Sequence, residues 1–434
     1  MDSQRFSQQV INTLRWKIVP FAFVLYFFNY LDRVNVGFAA LQMNRALNIT
    51  PTEFGTIASI FFASYLLFQI PANIALQRFG PRRWIGFIIV AWGVVTTLTF
   101  FAQNATHLAL ARLLLGVFEA GFFPGMIYYL ACWFPARERA KVTSLFMLAI
   151  AFASVIAGPM SGWIVEHVHI SGYDGWRWLF AIEGVPTVLL GFLTFVVLVD
   201  KPSEARWLTE QQRTWLESEL RREAGSHQQV EKPTLKMVFS NATLWRLAIA
   251  YMLIQAASQA SNYWLPGQVK EFDPSLTDTQ VGIIMALPFV CAMVAMPLWA
   301  AHSDRTGERK WHAALPMLLA GIGFYVIASA AIMPLRLVGL ALFGVGILSF
   351  YGPYWAIPPA LLSPAGLALS IAFINSCSSL GGFLANQALG QIYQKLGSAG
   401  VFAVESALCV VAFVVLVTMR IPRSIRTVEQ EAAA

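Results

Sequence analysis

Charged residues inside apolar stretches are the first feature of this sequence that suggests chemistry. The segment 29–35 (Asn-Tyr-Leu-Asp-Arg-Val-Asn) places Asp32 and Arg33 in an apolar run, 18–40, that is long enough to cross a bilayer. A charged side chain at membrane depth costs about 2.5–3.5 kcal/mol on insertion scales, so it normally faces a bundle interior or a wet cavity. There an arginine can hold an anionic group through two donors, and a carboxylate can take up a proton.

The charged residues that lie well inside apolar runs form a small set. They are Asp32, Arg33, Arg112, Glu119, Glu183 and Glu405. Arg112 and Glu119 are seven residues apart, so a helix places them on one face, and with Asp32 and Arg33 they sum to zero charge. Two readings stay open. Ionisable residues in a membrane are functional by default, but these four could instead form a static ion-pair network between helices.

Composition identifies a membrane protein and excludes other classes. The chain has 434 residues, of which 57% are hydrophobic and 12% charged, and its mean hydropathy is +0.60; an average soluble domain carries about 25% charged residues. The four cysteines have no Cys-x-x-Cys partner and the six histidines show no metal spacing, so neither disulfides nor a metal site are predicted. Without a phosphate-cradling Gly-x-x-x-x-Gly-Lys-[Ser/Thr] motif or a cofactor motif, neither ATP drive nor an enzyme is expected.

Apolar runs separated by short polar breaks predict an all-α integral membrane protein with twelve transmembrane helices. The runs are 18–40, 54–77, 84–102, 107–132, 140–164, 177–199, 244–266, 280–301, 312–332, 335–357, 367–391 and 399–420. The first run is too long, and too polar at Asp32 and Arg33, for the core of a signal peptide. We therefore interpret it as an uncleaved first helix.

The long polar segment 200–243 divides the chain into two halves of six helices. The predicted domains are 1–199, a linker at 200–243, and 244–434. Within the linker, Trp207, Trp215 and other apolar residues recur near helical spacing, which predicts an amphipathic helix at the membrane surface.

Basic residues are distributed unevenly between the two sides of the predicted bundle. With a cytoplasmic N-terminus, the short inside segments hold fifteen Lys and Arg residues: Arg5, Arg15, Lys17, Arg78, Arg82, Arg83, Arg137, Arg139, Lys141, Arg305, Arg309, Lys310, Arg420, Arg423 and Arg426. The outside loops hold five: Arg45, Arg177, Lys270, Arg336 and Lys395. The positive-inside rule predicts that both termini are cytoplasmic. The net charge of +7 then needs no nucleic-acid partner, and the expected surroundings are a lipid bilayer.

The two halves repeat each other in the loop after their second helix. Segments 77–84 and 304–311 are offset by 227 residues, and Arg, Gly, Arg and Trp coincide. Parallel six-helix repeats of this kind are a known plan of secondary transporters. The loop resembles the cytoplasmic signature of the major facilitator superfamily, which implies gating roles for Arg78, Gly80, Arg82, Asp304, Arg305, Gly307 and Arg309. Gln77 stands where the signature has Asp, so a gating charge pair is expected in the second half alone.

Four further fragments resemble the anion:cation symporter family of that superfamily. They are 29–35 in the first helix, Arg112 with 118–121 in the fourth, 133–135 after it, and 178–184 in the sixth. Members of that family move organic anions, including sugar acids, tartrate-like hydroxy acids, hydroxyphenylacetate and other aromatic carboxylates, and bacterial members usually import them with protons. The resemblance therefore implies proton symport by alternating access in the bacterial inner membrane, with protons as the coupling ion and no cofactor.

The resemblance also implies roles for the charged residues. Arg33 would anchor the substrate carboxylate, Asp32 and Glu119 would carry protons, and Arg112 would be the partner of Glu119. An organic anion that enters a neutral, poorly hydrated cavity needs a compensating positive charge, and protonation of Glu119 or Asp32 supplies it. Arg33 keeps its charge and can bind a carboxylate through two donors.

Uncharged residues complete the expected substrate site. The candidates are Tyr30, Tyr65, Gln259, Trp355 and Asn375. Tyr30 shares a helix face with Arg33, and Gln259 stands 227 residues after Asp32. The aromatic rings would wall the site and the amides would hold hydroxyls or a second carboxylate, although each residue could instead make a helix–helix contact.

Several alternatives stay open. A sodium-coupled or anion-exchange transporter of the same fold is the alternative to proton symport, and the sequence does not specify the carboxylate. A receptor would normally carry an added soluble module, and the linker is too short to be one. Glu183 lies near Arg177, which favours a packing pair, and Glu405 is expected near the outer membrane surface; neither is given a transport role. The chain is expected to act as a monomer.

Overall fold

The computed structural model describes residues 2–226, 240–361 and 367–420, and the regular structure within these residues is helical. The α-helices are α1 Asp2–Ala46, α2 Pro51–Phe79, α3 Pro81–Leu98, α4 Ala105–Glu119, α5 Phe122–Trp133, α6 Ala136–His167, α7 Gly175–Val197, α8 Glu210–Ser226, α9 Ala242–Phe272, α10 Asp278–Thr306, α11 Lys310–Ser329, α12 Met333–Ser349, α13 Tyr351–Trp355, α14 Pro358–Leu361 and α15 Leu367–Val417.

The helix lengths account for the twelve predicted membrane crossings. Ten segments of the described residues are long and apolar enough to cross a membrane, with α4 and α5 forming one segment and α12 and α13 another. The segment Leu369–Val417 has 49 residues, about 74 Å of helix, and its backbone leaves the helical conformation at Gly397, so it crosses twice. The remaining crossing is α9, whose 31 residues include the polar Gln255 and Gln259.

The two sets of crossings, α1–α7 and α9–α15, share helix caps and glycine turns at matching positions. Thr50 and Thr277, 227 residues apart, each start a helix with a capping box, in which the threonine and the side chain three residues later satisfy each other's backbone N–H groups. The loops after α2 and α10 turn at Gly80 and Gly307, whose φ angles of 84° and 66° favour glycine. The repeat seen in the sequence is therefore also a repeat of caps and turns.

The first group of crossings, α1–α7, meets the second group, α9–α15, mainly through three helix pairs: α1 with α9, α2 with α15, and α6 with α10. Near the end where α1 finishes, Gln42 donates a hydrogen bond to Asp278 at 3.1 Å. The helices α6 and α10 approach closely at Gly158, where an added Cβ would clash with the backbone of Gly282. We call this end of the bundle the distal end and the opposite one the linker end.

Helix α2 shows the difference between the two ends. Its distal part is buried against α4 and α15, with Phe61 1% exposed. Beyond Tyr65, toward the linker end, Leu67, Ile70 and Ile74 are 71%, 72% and 63% exposed. The close approaches between the two groups, such as Gly55 with Gly390 and Gly162 with Asp278, lie at the distal end, where the groups are packed together.

The linker contains a helix, α8, as predicted, and its apolar residues pack on the first group; its place at the membrane surface stays a prediction. Trp207 stacks on Trp133 with ring centroids 5.5 Å apart, and Trp215 meets Phe6 edge-on at 6.4 Å. Leu216 is fully buried. The apolar stripe of the linker is used for protein packing because α1 extends far enough to meet it.

The predicted division at 199 and 243 stays a prediction. Residues 227–239 of the predicted linker lie outside the described residues, as do Arg423 and Arg426 of the basic count.

Candidate functional site

Arg33 and Glu119 form an ion pair at the centre of the first group. Nε of Arg33 donates to Oε2 of Glu119 at 3.1 Å, and Nδ2 of Asn29 donates to the same oxygen at 3.0 Å. The Glu119 side chain is 0% exposed, whereas 26% of the Arg33 side chain is exposed. Glu119 is the last residue of α4, and the chain turns at Ala120 before α5 begins. A ligand in the bundle can therefore reach the guanidinium group before the carboxylate.

Two aromatic rings of α2 flank the Arg33 guanidinium. Its central carbon lies 5.0 Å from the ring centre of Tyr65 and 5.8 Å from that of Phe61. Both distances suit a cation–π interaction, which attracts the cation and fixes its position. The expected substrate residue Tyr65 thus lies beside Arg33.

Arg112 contacts the second group and makes no direct ion pair with Glu119 in the described ranges, so its role as the partner of Glu119 stays a prediction. Nη2 of Arg112 donates to the hydroxyl of Tyr263 in α9 at 2.7 Å, and its guanidinium lies 4.5 Å from the ring centre of Phe61. Within the described residues, Nε and Nη1 of Arg112 are buried without a hydrogen-bond partner. The hydrogen bond to Tyr263 links the charged cluster to the opposite group of helices.

Asp32 and Glu183 are joined through one amide group. Nδ2 of Asn35 donates to Oδ1 of Asp32 at 3.1 Å and to Oε2 of Glu183 at 2.9 Å, while the hydroxyl of Ser161 donates to Oε1 of Glu183 at 3.2 Å. All four side chains are buried. The predicted packing pair of Glu183 with Arg177 is wrong, because Arg177 donates instead to backbone carbonyl oxygens just after α3.

Glu405, expected near the outer membrane surface, is buried inside the second group. One of its oxygens accepts a hydrogen bond from the hydroxyl of Ser261 at 3.1 Å. Its other oxygen has no partner among the described residues. Across the described ranges, no group of three His, Cys, Asp or Glu residues is placed to hold a metal ion.

The other predicted substrate residues lie along or across the interface between the groups. Tyr30 lines a cavity of about 20 Å³, room for about one water molecule, between α1, α6, α9 and α10. Gln259 and Asn375 are half-buried in the second group, and Trp355 packs edge-on against Tyr251 with ring centroids 5.1 Å apart. The charged residues and Tyr65 thus form one cluster, and the amides and Trp355 belong to the facing group.

The loop after α2 is anchored to the end of α7. The backbone N–H of Arg82 donates to Oδ1 of Asp200 at 2.8 Å, and Nε of Arg82 donates to the carbonyl oxygen of Phe195. The signature Asp is missing at Gln77, and Asp200 supplies a carboxylate to the loop from the segment after α7.

The loop after α10 contains its own charge pair. Nη1 of Arg309 donates to Oδ1 of Asp304, and Arg305 is exposed. In the first loop, Arg78 instead lies 5.7 Å from the ring centre of Phe79. The two loops therefore share their glycine turn but not their charge contacts.

Asn29, Asn35 and Tyr263 are site residues that sequence reasoning missed. Asn29 lies four residues before Arg33 and Asn35 three residues after Asp32, so helical spacing could have grouped the asparagines with the charges. No comparable signal marks Tyr263, because its contact joins helices that are far apart in the sequence.

Comparisons with known proteins extend over almost the whole chain. Residues 22–386 and 273–433 match a family model described as Major Facilitator Superfamily. A putative tartrate transporter of Agrobacterium vitis is 40% identical over 96% of this chain and 93% of that protein. The inner membrane transport protein RhmT of Escherichia coli is 34% identical over 96% of each. A crystal structure of a D-xylose-proton symporter has a TM-score of 0.73 at 16% identity and covers 94% of this chain and 98% of that one, which shows a shared fold.

Proposed function

Because this chain belongs to the Major Facilitator Superfamily of membrane transporters, we propose that it imports a small organic carboxylate by proton symport with alternating access. It is a transporter rather than an enzyme. The substrate class we propose is a hydroxy acid of the tartrate type, with sugar acids and aromatic acids as further candidates. The name of the tartrate transporter relative supports the first of these.

The observation that carries the proposal is the asymmetric exposure of the Arg33–Glu119 ion pair. The arginine side chain is 26% exposed and the glutamate 0%. Arg33 donates to Glu119 through Nε, which leaves the Nη atoms of its fork to meet a carboxylate in a bidentate manner. An anion that arrives from the linker end can compete with Glu119 for the guanidinium.

Proton coupling follows from this competition. When a substrate carboxylate takes the Arg33 guanidinium, Glu119 loses its ion-pair partner while it stays buried. A buried carboxylate without a cation is costly, so a proton binds to Glu119 and restores the charge balance of the cluster. Binding of the anion and binding of the proton thereby favour each other, as symport requires.

Alternating access then needs the contacts at the distal end to break and others to form at the linker end. The hydrogen bonds from Gln42 to Asp278 and from Arg112 to Tyr263 join the two groups in the present conformation. With the linker end in the cytoplasm, these distal contacts support an inward-facing conformation. The bias of fifteen basic residues against five supports that orientation.

We place the protein in a bacterial inner membrane, with both termini in the cytoplasm. The basic-residue bias and the inner membrane relative support this placement. One chain supplies both groups of helices and every residue of the candidate site, which supports a monomer as the transporting unit.

The proposal is tested with purified protein in sealed vesicles. A thermal-shift screen over organic acids first selects a ligand, because binding raises apparent stability. Uptake of that labelled acid is then measured under a proton gradient alone, a sodium gradient alone, or with unlabelled acid inside. Accumulation under the proton gradient, abolished by a protonophore, is expected. Accumulation that requires sodium or a counter-anion would contradict proton symport and favour the sodium-coupled or exchange alternative.

A further inference from the structure

Glu183 is a buried acidic residue of the first group of helices, and the proposed mechanism gives it no role. It lies in α7, is 2% exposed, and accepts hydrogen bonds from Asn35 and Ser161. Asp32, 1% exposed, accepts from the same Asn35 nitrogen. Because both accepting oxygens lie about 3 Å from one nitrogen atom, the two carboxyl groups are direct neighbours.

The surroundings supply no ion-pair partner to either carboxyl group within the described residues. In the part of the chain that the structure describes, neither Asp32 nor Glu183 makes an ion pair. Facing residues from neighbouring helices are the neutral Thr96 of α3 and Ser161 of α6, and the charged Arg112 and Glu119 of α4. Arg33 of α1 pairs with Glu119, and Arg112 binds Tyr263.

When two neighbouring carboxylates are buried without an ion-pair partner, the doubly ionised state is costly and a proton bound to one of them is favoured. Like charges at this separation repel, and burial removes the water that would screen them. An amide donor gives one N–H to each but adds no charge. Oδ2 of Asp32 is buried without a partner within the described ranges, so it has a free lone pair on which a proton can sit.

We propose that Asp32 and Glu183, bridged by Asn35, act as one proton-binding unit beside Glu119, and that Glu183 is a positioning residue that sets the pH at which Asp32, the second proton carrier expected from the sequence, takes up and releases a proton. This inference rests on the proposed function. On release, the O–H bond of the protonated carboxyl breaks and the proton passes to water at the linker end. Both carboxylates are then ionised, each accepting one N–H of Asn35, until a proton enters from the other side.

The variant Glu183→Gln tests the unit because it removes one charge at nearly constant shape. Without that charge, Asp32 is neutralised less readily, so we expect the pH at half-maximal proton-driven uptake to fall by about one unit or more, a tenfold change in proton concentration. Exchange of labelled for unlabelled substrate should persist, which shows that the variant is folded. Glu183→Asp keeps the charge and should keep a pH profile close to that of the unsubstituted protein.

Glu405→Gln is the matched control, because Glu405 is another buried glutamate whose partner is a hydroxyl. It should leave the pH profile in place. The double variant Asp32→Asn with Glu183→Gln should be no more impaired than Asp32→Asn alone, since residues that act as one unit are not additive.

An unchanged pH profile in Glu183→Gln, or an equal shift in Glu405→Gln, would overturn the inference. The proposed function would still stand if the unsubstituted protein showed proton-driven uptake. Additive losses in the double variant would also overturn the inference. Absence of proton-driven uptake in the unsubstituted protein would overturn the proposed function and this inference together.

Discussion

The two groups of helices share a fold but differ in chemistry. The first group carries five of the six charges that lie well inside apolar runs, and the second carries Glu405 alone. Caps and glycine turns coincide at the 227-residue offset, yet Gln259 stands opposite Asp32 and Gly346 stands opposite Glu119. The residues that cap helices or form turns thus occur in both groups, whereas most of the charged residues inside apolar runs occur in the first group.

This difference suggests a division of labour. In the proposed mechanism, the first group binds the carboxylate at Arg33 and the proton at Glu119. The second group offers neutral amides and hydroxyls, including Gln259 and Tyr263, which can recognise the rest of the substrate and respond to movement of the first group. The predictions below test this division from its strongest expected effect to its weakest.

Arg33→Lys should have the largest effect. The charge is kept, but a planar fork of donors is replaced by a compact ammonium group, so bidentate binding of the carboxylate and contact with Tyr65 are both lost. We expect the dissociation constant for the substrate to rise by about 100-fold or more. Calorimetry of the purified variant measures this. Arg45→Lys, exposed on the same helix, is the control, and near-normal affinity in Arg33→Lys would remove Arg33 as the anchor.

Tyr263→Phe should have an intermediate effect, on conformation rather than on the anchor. It leaves a buried Arg112 nitrogen without its partner in the distally closed conformation, and a hydrogen bond to a charged group contributes about 1.5–3 kcal/mol. A cysteine placed at Gln42, in the distal interface, should then be labelled from outside at least about tenfold faster.

Tyr325→Phe serves as the control for that experiment, because Tyr325 is 66% exposed. Equal labelling rates in the Tyr263→Phe variant and its parent would show that the contact between the groups does not hold the distal end closed.

Gln259→Leu should have the smallest effect. A neutral hydrogen bond contributes about 0.5–1.5 kcal/mol, so loss of the amide should weaken binding of a hydroxy acid by about 3–10-fold. Binding of the matching acid without hydroxyl groups should change less. Equal losses for both acids would place Gln259 in helix packing rather than in substrate recognition.

The sequence predicts the helices of this molecule better than the contacts between them. The number of membrane crossings follows from the length and spacing of the apolar runs. The lack of cofactor and phosphate-binding motifs can be read directly from the sequence. The partners of Arg112 and Glu183 cannot, because helical spacing gives the face of a residue but not the neighbouring helix that the face meets. The packing of the linker helix could not be predicted for the same reason: its apolar stripe fits lipid and protein equally well, and its contact with α1 depends on the length of α1.

Proton coupling at Glu119 is tested most directly by measuring both proton-driven uptake and substrate exchange in vesicles that contain the Glu119→Gln variant. The amide imitates a protonated carboxyl that cannot release its proton, and Arg33 is freed from its ion pair. We expect substrate binding and exchange to persist, while accumulation under a proton gradient is lost. If Glu119→Gln still concentrates substrate at the rate of the unsubstituted protein, Glu119 is a structural partner of Arg33 and does not carry the coupling proton.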